Sequence, residues 1–510
     1  PQTDWVALNR IYDRNPSLIF GKLTADGKVF LINQNGILFG PDSRVNVQAL
    51  TASTLNIKND DFLGGVLKFK AENYIDPGAE LLSLGAVANE GSIETTPLGR
   101  VLLLAPLVEN DGSINVPSGQ IALIAATEAE ISPDESRGLA VKHSSADGTP
   151  GIAVNLANGK LEADTGWVGM FGRVVNQTGY VRAVTALKQK GRIILSARDK
   201  VTTGADSVTE SPVSDSAETA NESFQFSGGD IRLQAEGIEH RGAIRANSGQ
   251  VRLEAAERVY LEQGSLIDVK GNTVDLPATA NQVKVQLNSV ELRDDFGQKN
   301  GILKGEVIQV NALHGSAIGD ISGQIGAREK SAKERSIQGG FVTLSASEGD
   351  VILREGATID FSGGQRRFEA GFVATSKLVS GSKIFDINEA PQWLQYDAHL
   401  LTSEKISQRF GIRKQYEGLY LGGASPLAQY MPGYVEGADA GQLNVVGKMV
   451  ALDGTIKGST VIGRFQDGII ENPGVIGRSV PRGGTLTLGV APAGSPEQLD
   501  LFVQAVAVTN

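Results

Sequence analysis

The sequence predicts an all-β fold: a right-handed parallel β-helix, or β-solenoid, with extra-helical loop and hairpin insertions. Three observations carry this prediction. The first is a Gly-x-apolar-x-Leu-x-Ala template. Its copies Gly99 to Ala105 and Gly119 to Ala125 start twenty residues apart, and so do Gly229 to Ala235 and Gly249 to Ala255. Further copies run from Gly191 to Ala197 and from Gly340 to Ala346, with looser ones at Gly441 and Gly484. The second is a turn-and-strand template set between them, as in Asn89-Glu-Gly-Ser-Ile93, Asn110-Asp-Gly-Ser-Ile114, Arg241-Gly-Ala-Ile244, Gln263-Gly-Ser-Leu266, Glu355-Gly-Ala-Thr-Ile359 and Asp453-Gly-Thr-Ile456. Its Gly follows the first template's Gly by thirteen residues at Gly99/Gly112, Gly229/Gly242 and Gly441/Gly454. The third is composition: 62 Gly against 17 Phe, 9 Tyr and 3 Trp suits many tight corners around an aliphatic core.

A period near twenty residues is the mark of a solenoid. Alternation sends Ile231, Leu233 and Ala235 inward and Asp230, Arg232 and Gln234 outward. One coil cannot bury its apolar face alone, whereas stacked coils bury a continuous column. A leucine-rich repeat lacks its fixed-Asn consensus here, and a propeller needs longer units with aromatic signatures.

In chain order, residues 1–84 carry dense strand signals. Asp26-Gly27 and Asn35-Gly36 are turn dipeptides between apolar runs. The stretch Val29 to Gly40 reads as strand, Asn33-Gln34-Asn35-Gly36 turn, strand. Val45-Asn46-Val47 and Leu55-Asn56-Ile57 alternate, and Gln48 to Thr54 fits a short helix or a strand of small residues. Residues 85–271 are read as coils with insertions near 133–179, where Asn158-Gly159 suits a hairpin, and near 201–223, a Ser/Thr-rich stretch that reads as solvated loop. An irregular insertion spans 272–336, and its Arg328 to Arg335 segment reads as a mobile loop or short helix. Coils return at 337–364. An aromatic-rich insertion occupies 365–438, with a helix expected over His399 to Phe410. Coils fill 439–510 and are expected to continue beyond it.

The ordered set Leu8-Asn9-Arg10, Asn15-Pro16-Ser17-Leu18-Ile19-Phe20-Gly21, Gly27 to Gly40, Val45-Asn46-Val47 and Leu50-Thr-Ala-Ser-Thr54 resembles the haemagglutination-activity domain of filamentous haemagglutinin and the high-molecular-weight adhesins. These are exoproteins of Gram-negative two-partner secretion. That family's turn usually reads Asn-Pro-Asn-Gly, and Gln34 stands here in place of the Pro. The resemblance implies a cell-surface or extracellular adhesin, exported across the outer membrane by a POTRA-containing β-barrel transporter. It also implies that the Asn15-Pro16 and Asn33-Gln34-Asn35-Gly36 turns form part of the secretion signal. The family's first strands and leader are expected to precede Pro1.

The formal charge of −11, from 47 Lys and Arg against 58 Asp and Glu, argues against a nucleic-acid partner. Cys is absent, so disulfides and thiolate metal sites are excluded. No run of about 20 apolar residues reads as a transmembrane helix.

Trp393, Tyr396, Tyr416, Tyr420, Tyr430 and Tyr434 form the candidate surface for a glycan, a protein or another copy of the chain. A satellite core is the weightier expectation for these rings, because a long insertion needs buried surface of its own. Asp60-Asp61 and Asp294-Asp295 are weak as catalytic pairs, since neighbours on a strand face opposite ways. His143, His240, His314 and His399 lack metal-ligand spacing. Asn33, Asn35, Asn46 and Asn56 read as corner residues, stacked in ladders. No catalytic residue, metal or cofactor is expected. The alternatives are a β-helical polysaccharide-active enzyme and a filament subunit joined through open coil ends.

Overall fold

The computed structural model describes residues 4–73, 75, 85–134, 138–146, 148–221, 223–295, 297–400, 403–407, 412–416, 428–469, 475–489 and 500–502. Strands of successive coils pair in parallel within one 29-stranded sheet. The first template supplies one wall. Arg100–Ala105 pairs with Gln120–Ala125, and the column runs on through strands starting at Trp167, Arg192, Asp230, Gln250, Phe341, Gln442 and Thr485. The second template supplies another wall, in which Ile93, Ile114, Leu161, Val181, Thr209, Ile244, Ile267, Ile359 and Ile456 stack in register. The β-helix expected from the repeats is therefore present. Ile231, Leu233 and Ala235 lie in its core as alternation requires. The outward Asp230 pairs with Arg252, and Arg232 pairs with Glu254.

The repeated glycines answer a steric demand at the corner. A Cβ on Gly119 would run into the carbonyl oxygen of Gly99, and one on Gly166 into that of Gly119. The same contact recurs from Gly249 onto Gly229, Gly340 onto Gly249 and Gly441 onto Gly340. The residue before the glycine often turns into the left-handed region, as at Leu98, Ser118, Thr165 and Ser248, with φ of 64°, 53°, 55° at Ser248 and 47° at Thr165. The chain thus turns there while its next residue slides against the coil below.

A buried polar column replaces aliphatic side chains along part of the third wall. Asn89 donates to Asn110, Asn110 to Asn155 and Asn155 to Gln177, each at 2.8 Å. Gln177 ends the run by donating to the Gly179 carbonyl at 2.9 Å. Thr203 and His240 occupy the next two register positions. The Thr203 hydroxyl accepts the Arg241 amide N–H at 3.0 Å and, since the neutral His240 ring carries its proton on the Nε2 that faces a carbonyl, donates to His240 Nδ1 at 2.8 Å. His240 Nε2–H then donates to the Leu266 carbonyl at 3.2 Å. Asn89 and Asn110 stand two residues before the second-template glycine, and that position is the sequence signal for the ladder. The expected ladder residues differ: Asn46 is exposed, and Asn56 instead accepts from Arg10 Nε at 3.0 Å.

Two extra-helical layers cover the rod. Near the N-terminus, outward-facing Leu102, Leu104, Ala122, Ile124 and Phe171 form a second core. An antiparallel sheet of Asn56–Ile57, Leu67–Lys70, Glu128–Asp134 and Gly138–Ser144 lies over it. The stretches 272–336 and 365–438, separate in sequence, share one core in which Val285, Leu292, Ile308 and Val310 meet Leu378, Ile387 and Tyr396.

Several local expectations are corrected. Of the two readings left open for Gln48 to Thr54, the strand of small residues holds as far as Ser53, in a strand that begins at Arg44. Asn158-Gly159 is a coil corner between Ile152–Asn155 and Lys160–Ala163, which pair with other coils instead of closing a hairpin on each other. The hairpin in this region is Glu128–Asp134 with Gly138–Ser144. Most of the supposed 201–223 loop is coil: Val201, Thr203, Ser207, Thr209 and Ser211 are buried. Its hydroxyls satisfy backbone carbonyls in place of water, with Ser211 donating to Ala183 and Ser207 to Gly204, both at 2.7 Å. The supposed helix at His399 to Phe410 is strand at Ala398–Leu400 and Ser403–Ser407, because cross-strand pairing overrides helix propensity. Phe410 lies outside the described residues. Arg328 to Arg335 does hold a short helix, one of its two expected forms, as the single turn Ala332–Arg335 with a Ser331–Glu334 capping box, but the strand Glu329–Ser331 precedes it.

Two predictions follow from this packing. Gly249→Ala should cost roughly 1–3 kcal/mol in urea unfolding by overpacking, whereas Gly237→Ala, whose new Cβ meets nothing nearer than 4.0 Å, should be close to neutral. Burial lowers the His240 pKa to about 4, from the ordinary imidazole value of 6.5. The unfolded chain therefore binds more protons between those values. The His240 contribution is whole above about pH 6.5 and declines as pH falls toward 4. Unfolding midpoints compared between pH 7 and 5 should show a dependence that His240→Gln removes.

Candidate functional site

The Asn33-Gln34-Asn35-Gly36 turn is a coil corner that ties three segments together. Asn33 is fully buried; its Nδ2 donates to the Asn15 carbonyl at 3.0 Å and to Ser17 Oγ at 2.9 Å. Its Oδ1 accepts the Asn35 amide at 3.0 Å, and its carbonyl accepts the Gly36 amide at 3.1 Å. Asn35 Nδ2 reaches back to the Asp13 carbonyl at 2.9 Å. Forward, the Gln34 carbonyl accepts the Gly85 amide at 2.9 Å, and the buried Gln34 side chain donates to Asn73 at 3.4 Å. Gly36 has φ of 120°, which a side chain would strain. The structure thus brings Asn15 and Asn33 into direct contact, with Asn15 and Pro16 exposed on the first coil.

That first coil, Val6–Arg10, Ser17–Ile19 and Lys22–Thr24, pairs only with the coil after it among the described strands. Trp5, Tyr12, Leu18 and Phe20 are exposed around it. Arg10 fastens its start to the Asn56–Asn59 corner, donating to Asn59 Oδ1 at 2.7 Å and to the Ile57 carbonyl.

The aromatic candidates of the later insertion divide. Tyr396 and Tyr434 are 5% and 7% exposed. Tyr396 donates to the Pro391 carbonyl at 2.6 Å, and burial first, with Asp295 next, pushes its phenol up to about 12. Tyr434 stacks on Phe368 at 4.4 Å and accepts from Asn281 Nδ2 at 2.7 Å. These two are satellite core. Trp393 and Tyr430 are 81% and 62% exposed, and Tyr430 meets Phe372 edge-on at 5.6 Å. The Tyr416 side chain and Tyr420 lie outside the described residues.

Asp60 and Asp61 open the short helix Asn59–Leu63. Asp294 is exposed, while Asp295 is buried and accepts the amides of Gly297 and Gln298 at 3.0 and 2.9 Å, as a turn cap does. Burial raises the Asp295 pKa against those two bonds. No group of three His, Asp or Glu side chains is placed to hold a metal among the described residues. No described helix is long and apolar enough to cross a membrane, which says nothing about a β-barrel.

Comparison with known proteins assigns the N-terminal part. Residues 1–209 match the family model of the TPS secretion domain. These residues are a TPS secretion domain, the domain of two-partner secretion exoproteins. A heme/hemopexin-binding protein of Haemophilus influenzae strain Rd is 33% identical over 115 residues, which is 22% of this chain and 12% of the relative. A second heme/hemopexin-binding protein of Haemophilus influenzae is 43% identical over 58 residues, 11% of this chain and 6% of the relative. The chain therefore matches only a small part of either relative's length. The HMW1 secretion domain of Haemophilus influenzae is a solved structure with a TM-score of 0.48 and 21% identity, covering 70% of this chain and 85% of that one.

Asn33→Ala removes two donated bonds and the acceptor that orders the turn. It should cost about 1–3 kcal/mol by urea unfolding, and Asn35→Ala, at a half-buried position, should cost less.

Proposed function

We propose that this chain is part of a secreted or surface-held adhesin. In this reading the 1–209 domain is recognised by a POTRA-containing outer-membrane β-barrel, and the rod presents the module formed by 272–336 and 365–438 for binding. The match of residues 1–209 to the TPS secretion domain carries the export half of the reading. The Asn33 corner is the natural folding seed, since it joins the segment before it to the coil after it. Each further coil then buries apolar side chains on the last, which favours folding outside the cell and drives passage of an unfolded chain.

The binding half rests on the module. It has a core of its own, so its exposed rings are free to serve recognition. The partner is a glycan or protein of a host or neighbouring cell, or another copy of the chain. We read the chain as non-enzymatic, with Asp60-Asp61 and Asp294-Asp295 as surface or turn carboxylates. The Haemophilus relatives are named for heme and hemopexin, so these two are the first ligands to try.

The test is export of the full-length protein from cells with and without its transporter, beside Asn33→Ala and Asn35→Ala forms. Export should collapse without the transporter and fall in both variants, while the purified variants keep β-rich circular dichroism. Export indifferent to the transporter would overturn the assignment and reopen the enzyme and filament readings.

A further inference from the structure

A cleft of about 200 Å³ opens where four segments meet: 311–314, 373–388 and 429–432, all in the module, and Arg464-Phe465 from the return to the rod. It is smaller than the roughly 300–1,000 Å³ of a drug-sized site, so it has room for a single ring. We infer that this cleft is a saccharide subsite that seats one pyranose unit of a neutral glycan. The inference rests on reading the module as the binding part of the chain.

The chemistry of the lining carries it. Three carboxamides face the cleft, from Asn311, Asn388 and Gln429, with the Thr375 hydroxyl among them. A carboxamide offers a donor and an acceptor side by side, which matches the paired hydroxyls of a sugar ring. Asn311 is 4% exposed; among the described residues its Nδ2 donates to the Met431 sulfur at 3.5 Å, a weak acceptor that a sugar oxygen would improve on, while its Oδ1 accepts the Leu313 amide at 3.0 Å.

Two aromatic rings complete the lining. Phe465 is held edge-on by Tyr434 at 5.1 Å and by His314 at 6.1 Å. Tyr430 is held at its edge by Phe372 and leaves most of its surface open. Such rings supply an apolar platform for the C–H face of a pyranose, at little entropic cost because they are already fixed.

The one cation at the opening with no described carboxylate partner is Arg464. It is exposed and lies over Phe465 at 5.3 Å. A site built for an acidic sugar would set its cation at the floor; here amides take that place and Arg464 stands at the rim as a further hydroxyl donor.

The test uses the whole chain and saturation-transfer NMR with titration calorimetry. The probes are the methyl glycosides of galactose, mannose, glucose and N-acetylglucosamine, with N-acetylneuraminic acid and haemin as competing arms. At least one neutral glycoside should bind. Tyr430→Ala and Gln429→Ala, both at exposed positions on the strand Ala428–Met431, should weaken it by about tenfold or more without moving the thermal midpoint. The inference is overturned if no neutral glycoside binds, if binding survives both changes, or if only the acidic sugar or haemin binds. Cell or hemopexin binding that persists in Tyr430→Ala would retain the module as the binding part while removing the saccharide from it.

Discussion

The structure depends on how closely one coil can approach the next at its corners. Parallel strands set a spacing of about 4.8 Å between coils. At the corner the backbone of one coil lies directly on a carbonyl of the coil below, and any side chain atom there would force the two apart. Gly99, Gly119 and Gly166, and later Gly249, Gly340 and Gly441, are the residues that permit the contact, while Gly229 makes room for the Ser211 side chain. Once the corners close, the register of all walls follows. Val101, Ile121, Val168, Ile193, Ile231, Val251, Val342 and Leu443 then fall into one buried column.

Repetition explains what was legible in the sequence. A constraint that recurs at every coil leaves a periodic trace, and the twenty-residue spacing of glycines with alternating aliphatics was enough to predict the β-helix. The Asn33 corner was legible for the same kind of reason, since Asn and Gly have few roles in a turn between apolar strands. Features that occur once left little trace. The buried hydroxyls of Thr203, Ser207 and Ser211 look in sequence like those of a solvated loop, because a Ser that bonds a buried carbonyl is the same residue as one that bonds water. The strand at Ser403–Ser407 depends on a partner at Ile412–Tyr416, and local propensity does not report pairing.

The candidate binding region was legible in part. Sequence placed the aromatic residues in one insertion but not the division among them. Tyr396 and Tyr434 are core because the 272–336 stretch, distant in sequence, supplies the other half of their surroundings. Trp393 and Tyr430 remain outside that core. The cleft beside Tyr430 was not legible at all, because its wall is completed by Arg464 and Phe465 from the far side of the insertion.

The amide ladder has a direction. Every link from Asn89 to Gln177 runs with the amide N–H of the earlier coil pointing to the oxygen of the later one. A coil at the growing end of such a stack leaves its donor to water, and the next coil must replace that water with an oxygen of its own once the position is buried. The ladder therefore constrains what may follow: each arriving coil brings an acceptor to this position and hands the same demand to its successor. The debt is discharged at Gln177, which closes the series on the backbone of Gly179.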